Sequence, residues 1–397
     1  MVRLCSIGVI RYICRINRNE KGVSHEIFYC SRSGILGASA AYHIAKKGAD
    51  VTLIDRGERG RATDAAAGIV CPWLSQRRNQ AWYKLAKGGA AYYADLIKQL
   101  EADGESDTGY KRTGAISLHT DERKLEKMEE RAHLRRKDAP EIGEITRLSH
   151  EETKRLFPPL AEGYSSVHIS GAARVNGKLL RRSLVNAAKK YGASVVSGNA
   201  SLLYEGNRVT GISTGGKKIY ADQVLVTAGA WADELLKPLG VRFSVSYQKA
   251  QIVHLCLPDA DTGSWPVVMP PNDQYILAFE DGRIVAGATH ENEAELDDLR
   301  VTAGGLHEIF SKALAVAPGL ELSELLEARV GFRPFTPGFL PVIGSLPNIC
   351  GLLVANGLGA SGLTSGPYLG AELARLALGE EPELDIALYD PAGALES

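Results

Sequence analysis

The sequence predicts an α/β fold, α+β overall. A parallel sheet wrapped by helices is assembled from discontinuous segments, and an antiparallel sheet is inserted between them. Three observations predict it. Strand-turn-helix units recur near the start, middle and end of the chain, at 34–55, 223–231 and 352–378. Stretches that read as hairpins lie between them. The length of 397 residues exceeds a typical single domain of ~100–200 residues. At 45% hydrophobic and 23% charged residues, the composition is that of an ordinary folded protein. A formal net charge of −1 gives no electrostatic case for nucleic acid or an anionic membrane surface. The six cysteines are scattered without a C-x-x-C pair, which predicts neither a metal centre nor a disulfide framework and fits a reducing, cytoplasmic compartment. No apolar run reaches the ~18 residues of a membrane-spanning helix.

The first unit is a dinucleotide-binding fingerprint without its first glycine. A G-x-G-x-x-G turn needs a tight bend, then a residue without Cβ where backbone approaches a pyrophosphate, then a small residue where helix meets strand. Gly34 and Gly37 fill the second and third places, while Arg32 stands at the first. A helical pattern follows over Ala40 to Lys47, then a Gly48 stop and a strand from Asp50 to Ile54. Asp55 falls close to the usual ~20 residues on, where a carboxylate accepts from ribose hydroxyls. The unit is Rossmann-like.

Residues 1–32 do not match the rest. A Rossmann strand should run apolar into its glycine turn, but His25 to Arg32 precede this one. If His25-Glu26 is coded CAT-GAA, a one-base shift exposes ATG. The shifted codons can read Met-Lys-Tyr-Phe-Ile-Val-(Ala/Val)-Gly, which restores both strand and first glycine. The expectation is an atypical leader joined to the gene by a frameshift near Arg32, which the coding DNA tests.

The remaining elements follow in order. Small residues occupy Ala62 to Gly68. Apolar spacing predicts a helix over Gln80 to Glu101, a strand over Thr113 to His119, and a charged, solvated helix over Asp121 to Lys137. Val175 to Tyr191 reads as an amphipathic helix ended by Gly192, and Val209–Ile212 with Lys218–Tyr220 as a hairpin. A buried strand, Gln223 to Val226, runs into Ala228-Gly229-Ala230. Val245–Leu257, Gln274–Phe279 and Arg283–Thr289 read as antiparallel strands, and Ala303–Val316 as a helix. Ala328–Arg333 and Leu352–Ala355 read as strands, the second leading into a glycine loop and a helix from Leu369 to Leu378.

In this order the pieces resemble the FAD-dependent amino-acid oxidase and dehydrogenase family, which includes glycine oxidase, sarcosine oxidase and D-amino-acid dehydrogenase. The resemblance spans about Ser33 to Pro391. Four motifs carry it: Ser33–Gly37 with Asp55-Arg56; Ala62–Gly68; Val226–Trp231; and Gly331-Phe332-Arg333-Pro334 continuing to Asn356–Gly359. It implies noncovalent FAD, because Arg333-Pro334 stand in the region of the attachment cysteine of covalent-flavin relatives. It implies cofactor contacts from Gly34, Ile35, Leu36, Gly37, Asp55 and Arg56. Thr63, Ala65, Ala66 and Gly68 would let backbone approach the flat ring. Gly229, Gly357, Gly359, Ala360, Ser361 and Gly362 would offer N–H groups to the ring edge that gains negative charge on reduction.

Arg333 is implied to bind a substrate carboxylate, since a guanidinium pairs bidentately and keeps its charge when buried. Tyr275 is implied to lie over the substrate. The expected reaction is hydride transfer from the Cα–H of a D- or small amino acid to flavin N5, giving an imine and then a 2-oxo acid and ammonia. A secondary amine or N-substituted amino acid is the alternative, as is a form impaired in cofactor binding. Ala360-Ser361 occupy the place of a second arginine of glycine oxidase, which argues against glycine itself. Oxygen and a quinone or other carrier both remain open as electron acceptor. The expected segments are 33–80, 150–243 and 330–391 for FAD, and 81–149 and 244–329 for substrate.

Overall fold

The structure, a computed structural model, describes residues 26–30 and 34–396. The expectations for the leader and for Arg32 lie outside them, apart from the backbone of Glu26–Cys30. That stretch is a strand in parallel register with Asp50–Asp55 on one side and Gln223–Val226 on the other. It sits inside a six-stranded sheet ordered Val342–Ser345, Leu352–Asn356, Gln223–Val226, Glu26–Cys30, Asp50–Asp55, Ser194–Ser197. All neighbours are parallel except the Val342–Ser345 edge strand. Strands from the start, middle and end of the chain therefore interleave in one Rossmann-like layer, as the scattered strand-turn-helix units predict.

The helix Ile35–Lys46 is buried along most of its length and packs against the helix Gly362–Ala377. The approach is close: a Cβ on Gly370 would lie 2.6 Å from the Leu36 carbonyl and 2.7 Å from Ser39 Cβ. Sequence reasoning starts the last helix at Leu369, yet the structure starts it at Gly362 and carries Pro367 inside it. A proline there removes the N–H that would bond the Leu363 carbonyl. That carbonyl accepts instead from the Tyr93 hydroxyl at 2.5 Å, so the turn survives.

The second sheet has eight strands, ordered Glu324–Phe335, Ser246–Cys256, Arg283–Gly287, Tyr275–Ala278, Val267–Met269, Ala115–His119, Ser165–Ile169, Ile145–Leu148. It is antiparallel except where Val267–Met269 runs parallel to Ala115–His119. The expected segment boundaries need three corrections. Ser165–Ile169, placed with the nucleotide domain, hydrogen-bonds into this sheet beside Ala115–His119. Glu324–Phe335 does the same beside Ser246–Cys256 and so crosses the expected boundary at 330. The helix Gln80–Ala102, placed with the substrate domain, packs on Gly362–Ala377 of the nucleotide domain. In each case long-range partners decide membership, and these are not visible locally. No helix among the described residues is long and apolar enough to cross a membrane.

Candidate active site

A cleft of about 1160 Å³, partly open to solvent, runs between the two sheets. At one end stands the N-terminus of the helix Ile35–Lys46, whose Gly34, Ile35 and Leu36 line the wall. The free N–H groups and positive dipole end of such a terminus favour an anion. Ile35 N–H already donates to the Thr63 hydroxyl at 3.0 Å, which ties this terminus to the small-residue loop. Ala65, Ala66 and Gly68 of that loop form the next part of the wall. Gly68 has φ +97°, and a side chain there would collide with the Val175 carbonyl.

Gly229, Gly357, Gly359, Ala360 and Gly362 also line the cleft. Gly229, Gly357 and Gly359 have φ of +57°, +82° and +52°, which turns their backbone in ways an L side chain resists. Asn356 joins the two glycine loops: its Nδ2 donates to the Gly229 carbonyl at 2.9 Å, and its Oδ1 accepts from Gly357 N–H at 2.7 Å. Lining built of alanine methyls and glycine backbone leaves room for a flat ring to lie close to the chain.

Tyr275 and Arg333 line the far end. Arg333 lies on Glu324–Phe335 directly across from Gln248 of Ser246–Cys256. Its Nη1 donates to Gln248 Oε1 at 2.9 Å. Among the described residues it forms no ion pair. Tyr275 lies beside Arg333; burial pushes its hydroxyl above the usual tyrosine range, and the guanidinium pulls the other way. Gly287, across the sheet from Tyr275, leaves room for that hydroxyl. Among the described residues the cleft wall contains no carboxylate and no histidine.

Fourteen of the expected site residues thus line one cleft, although they come from six separate segments. Gly37, Asp55, Arg56 and Ser361 do not line it. Gly37 is buried within its helix. Both Asp55 carboxylate oxygens accept from Arg61 Nη2, at 3.1 and 3.2 Å, with Arg181 Nη1 at 3.7 Å. Arg56 turns to the surface, with Glu58, Asn199 and Glu234 around it. Ser361 Oγ accepts from Trp82 Nε1 at 3.0 Å.

Sequence reasoning misses Arg61. It lines the cleft, it is 7% exposed, and its Nε is buried without a partner. The available signal was an arginine set between Asp55 and Asp64 at the entry to the small-residue loop.

The residues present fit FAD. An anion-favouring helix end, a lining of small residues suited to a flat ring and the Arg61 side chain border one cavity. The chain matches the family model for FAD dependent oxidoreductases over residues 33–376. It is 73% identical over 363 residues to an uncharacterized oxidoreductase, YurR, of Bacillus subtilis (strain 168), covering 91% of this chain and 98% of that one. It is 31% identical over 369 residues to a glycine oxidase of Pseudomonas aeruginosa, covering 91% and 98%. Its fold matches the crystal structure of iminodiacetate oxidase from Chelativorans sp. BNC1 with a TM-score of 0.89 and 46% identity, covering 92% of this chain and 98% of the other. With a family match over most of its length and a cleft whose lining fits the shared cofactor, the chain belongs to the DAO family of FAD-dependent oxidoreductases.

Proposed function

We propose that the protein oxidises the C–N bond of a small amino acid whose carboxylate pairs with Arg333. The observation that carries this reading is the guanidinium itself. It faces the cleft, it has a neutral amide and a phenol as neighbours, and no carboxylate of the described chain neutralises it. A cation so placed favours an anionic guest and offers it two parallel N–H donors. Tyr275 closes the same end, so the two side chains orient the substrate and hold its Cα toward the alanine and glycine slot. FAD held noncovalently there would supply the two-electron acceptor for the hydride that leaves the substrate Cα. The imine product then hydrolyses to a 2-oxo acid and ammonia. Without a carboxylate or histidine on the described wall, deprotonation of the amine falls to solvent before binding.

A second reading, oxidation of an N-substituted amino acid, draws on two observations. The iminodiacetate oxidase is 46% identical. Ala360 presents only a methyl group to the cleft, which leaves room beside the amine. Anaerobic mixing of the holoenzyme with glycine, D-alanine, sarcosine, iminodiacetate and the corresponding amides tests both readings. Bleaching of the flavin band by the carboxylates and not by the amides is expected. Bleaching confined to sarcosine and iminodiacetate selects the second reading, and equal bleaching by acids and amides would falsify the role of Arg333.

A further inference from the structure

Arg333 does not reach the cleft unaided. Its partner Gln248 is half-buried on the adjacent antiparallel strand, in direct register. A guanidinium can only donate, so the oxygen of the Gln248 amide must face it and the NH2 group must face away. The NH2 group finds Asn292 Oδ1 at 2.8 Å. Asn292 is exposed, but its neighbour Glu291 is fastened down. Glu291 exchanges both backbone hydrogen bonds with Lys249 at 2.9 Å, and its carboxylate takes Lys249 Nζ at 3.2 Å and Gln251 Nε2 at 2.7 Å. Lys249 is fully buried, and its second partner, Asp298, comes from the same loop. A rigid chain therefore runs from the Lys249 anchor through Asn292 and Gln248 to one edge of the guanidinium.

We propose that Gln248 is a positioning residue that sets the preference of the site for anionic substrates, with Asn292 holding Gln248 in turn. A neutral acceptor fixes Arg333 Nη1 without cancelling its charge, so the attraction for the substrate carboxylate is kept. A glutamate at this position would satisfy the same donor and consume that charge. A leucine would leave the donor unpaired and the guanidinium free to swing. The inference rests on the reading that Arg333 takes the substrate carboxylate, and the test separates the two.

The test titrates acetate and acetamide into the FAD-loaded protein and follows the flavin absorption band, with KM and kcat measured alongside for iminodiacetate and glycine. Gln248→Glu is expected to weaken acetate binding roughly tenfold or more while acetamide changes about twofold or less, because hydrogen-bonded charge is worth more than neutral contact. The loss for the amino-acid substrates falls in KM more than in kcat. Asn292→Ala leaves both strands intact and weakens acetate about threefold, the value of one neutral hydrogen bond. Equal losses for acetate and acetamide mark a merely structural effect and overturn the proposal, as does unchanged acetate binding in either variant. Arg333→Met distinguishes the levels. If it abolishes acetate binding while Gln248→Glu leaves acetate binding unchanged, the inference alone falls. If it leaves acetate binding intact, the functional reading falls and takes the inference with it.

Discussion

Tyr275 shows how a single side chain limits the pH behaviour of the site. Burial holds its hydroxyl above the usual tyrosine range, so it stays neutral through any working pH. The described cleft wall offers no other acid or base that titrates near neutrality. kcat/KM is therefore expected to rise with pH along the ionisation of the substrate amine, since only the neutral amine gives up hydride readily. Tyr275→Phe is expected to lower kcat/KM by about five- to tenfold, the worth of one polar contact, without moving the inflection. Measuring pH–rate profiles for two substrates of different amine pKa checks this; an inflection common to both substrates would point to a protein base. That Arg333 and Tyr275 line one cleft was legible in the sequence, Arg333 from the Gly331–Pro334 motif and Tyr275 from what the resemblance implies. Gln248 was not: it meets Arg333 across a strand pairing that only the folded register creates. Asp55 was legible as the acid ending a strand, whereas its engagement by Arg61 was not, because nothing local says which way an arginine in a loop will turn.

Among the elements, the strand Glu324–Phe335 does most to join the two halves. It pairs with Ser246–Cys256 in the second sheet and also packs against the small-residue loop of the first. Phe332 N–H donates to the Gly60 carbonyl at 2.9 Å. Gly331 marks the closest approach: a Cβ there would lie 2.7 Å from Ala65 Cβ and 3.4 Å from Ala62 Cα. Backbone and a short methyl cannot swing aside as a long side chain can, so the loop must move. Gly331→Ala is expected to displace Ala65 at a cost of roughly 1–3 kcal/mol. Because Ala65 lines the slot, the displacement appears as weaker FAD binding, with the dissociation constant raised about five- to hundredfold. Titrating apoprotein with FAD by fluorescence measures it, and an unchanged dissociation constant would show that the loop does not shape the slot. The sequence marked Gly331 as part of a motif. Its strand begins four residues before the expected Ala328, since Glu324 to Glu327 carry mixed polarity that reads as loop.

At the scale of the molecule, the nucleotide layer is a composite, and the places where its segments meet decide its stability. His43 lies at such a junction. It belongs to the first helix, its Nε2 meets the Tyr92 hydroxyl of the helix Gln80–Ala102 at 2.6 Å, and Tyr92 packs on Tyr368 of the last helix with ring centroids 5.6 Å apart. The apolar periodicity of the long helix was visible in sequence, but its three-way docking was not, since partners hundreds of residues apart leave no shared local pattern. Burial is the largest cause lowering the His43 pKa, to about 3 against the ordinary 6.5. The sign follows from linkage. Between those values the unfolded chain takes up a proton that the native fold refuses, so the native state loses stability as pH falls below about 6.5, by up to about 1.4 kcal/mol per pH unit, until about pH 3. At pH 5 this is about 2 kcal/mol from His43 alone. His254, also held down to about 3 by burial, adds to the slope from within the second sheet. Thermal unfolding of the holoenzyme is expected to fall by several degrees between pH 7.5 and 5, a range above the titration of most carboxylates. His43→Gln keeps a side chain able to accept from Tyr92 and removes one titrating group. It should therefore recover part of that loss, while His254, His168 and His290, all held below the ordinary histidine range chiefly by burial, retain the rest. An identical acid loss in the variant and the parent protein would place the sensitivity elsewhere and rule out this junction as the point where acid opens the fold.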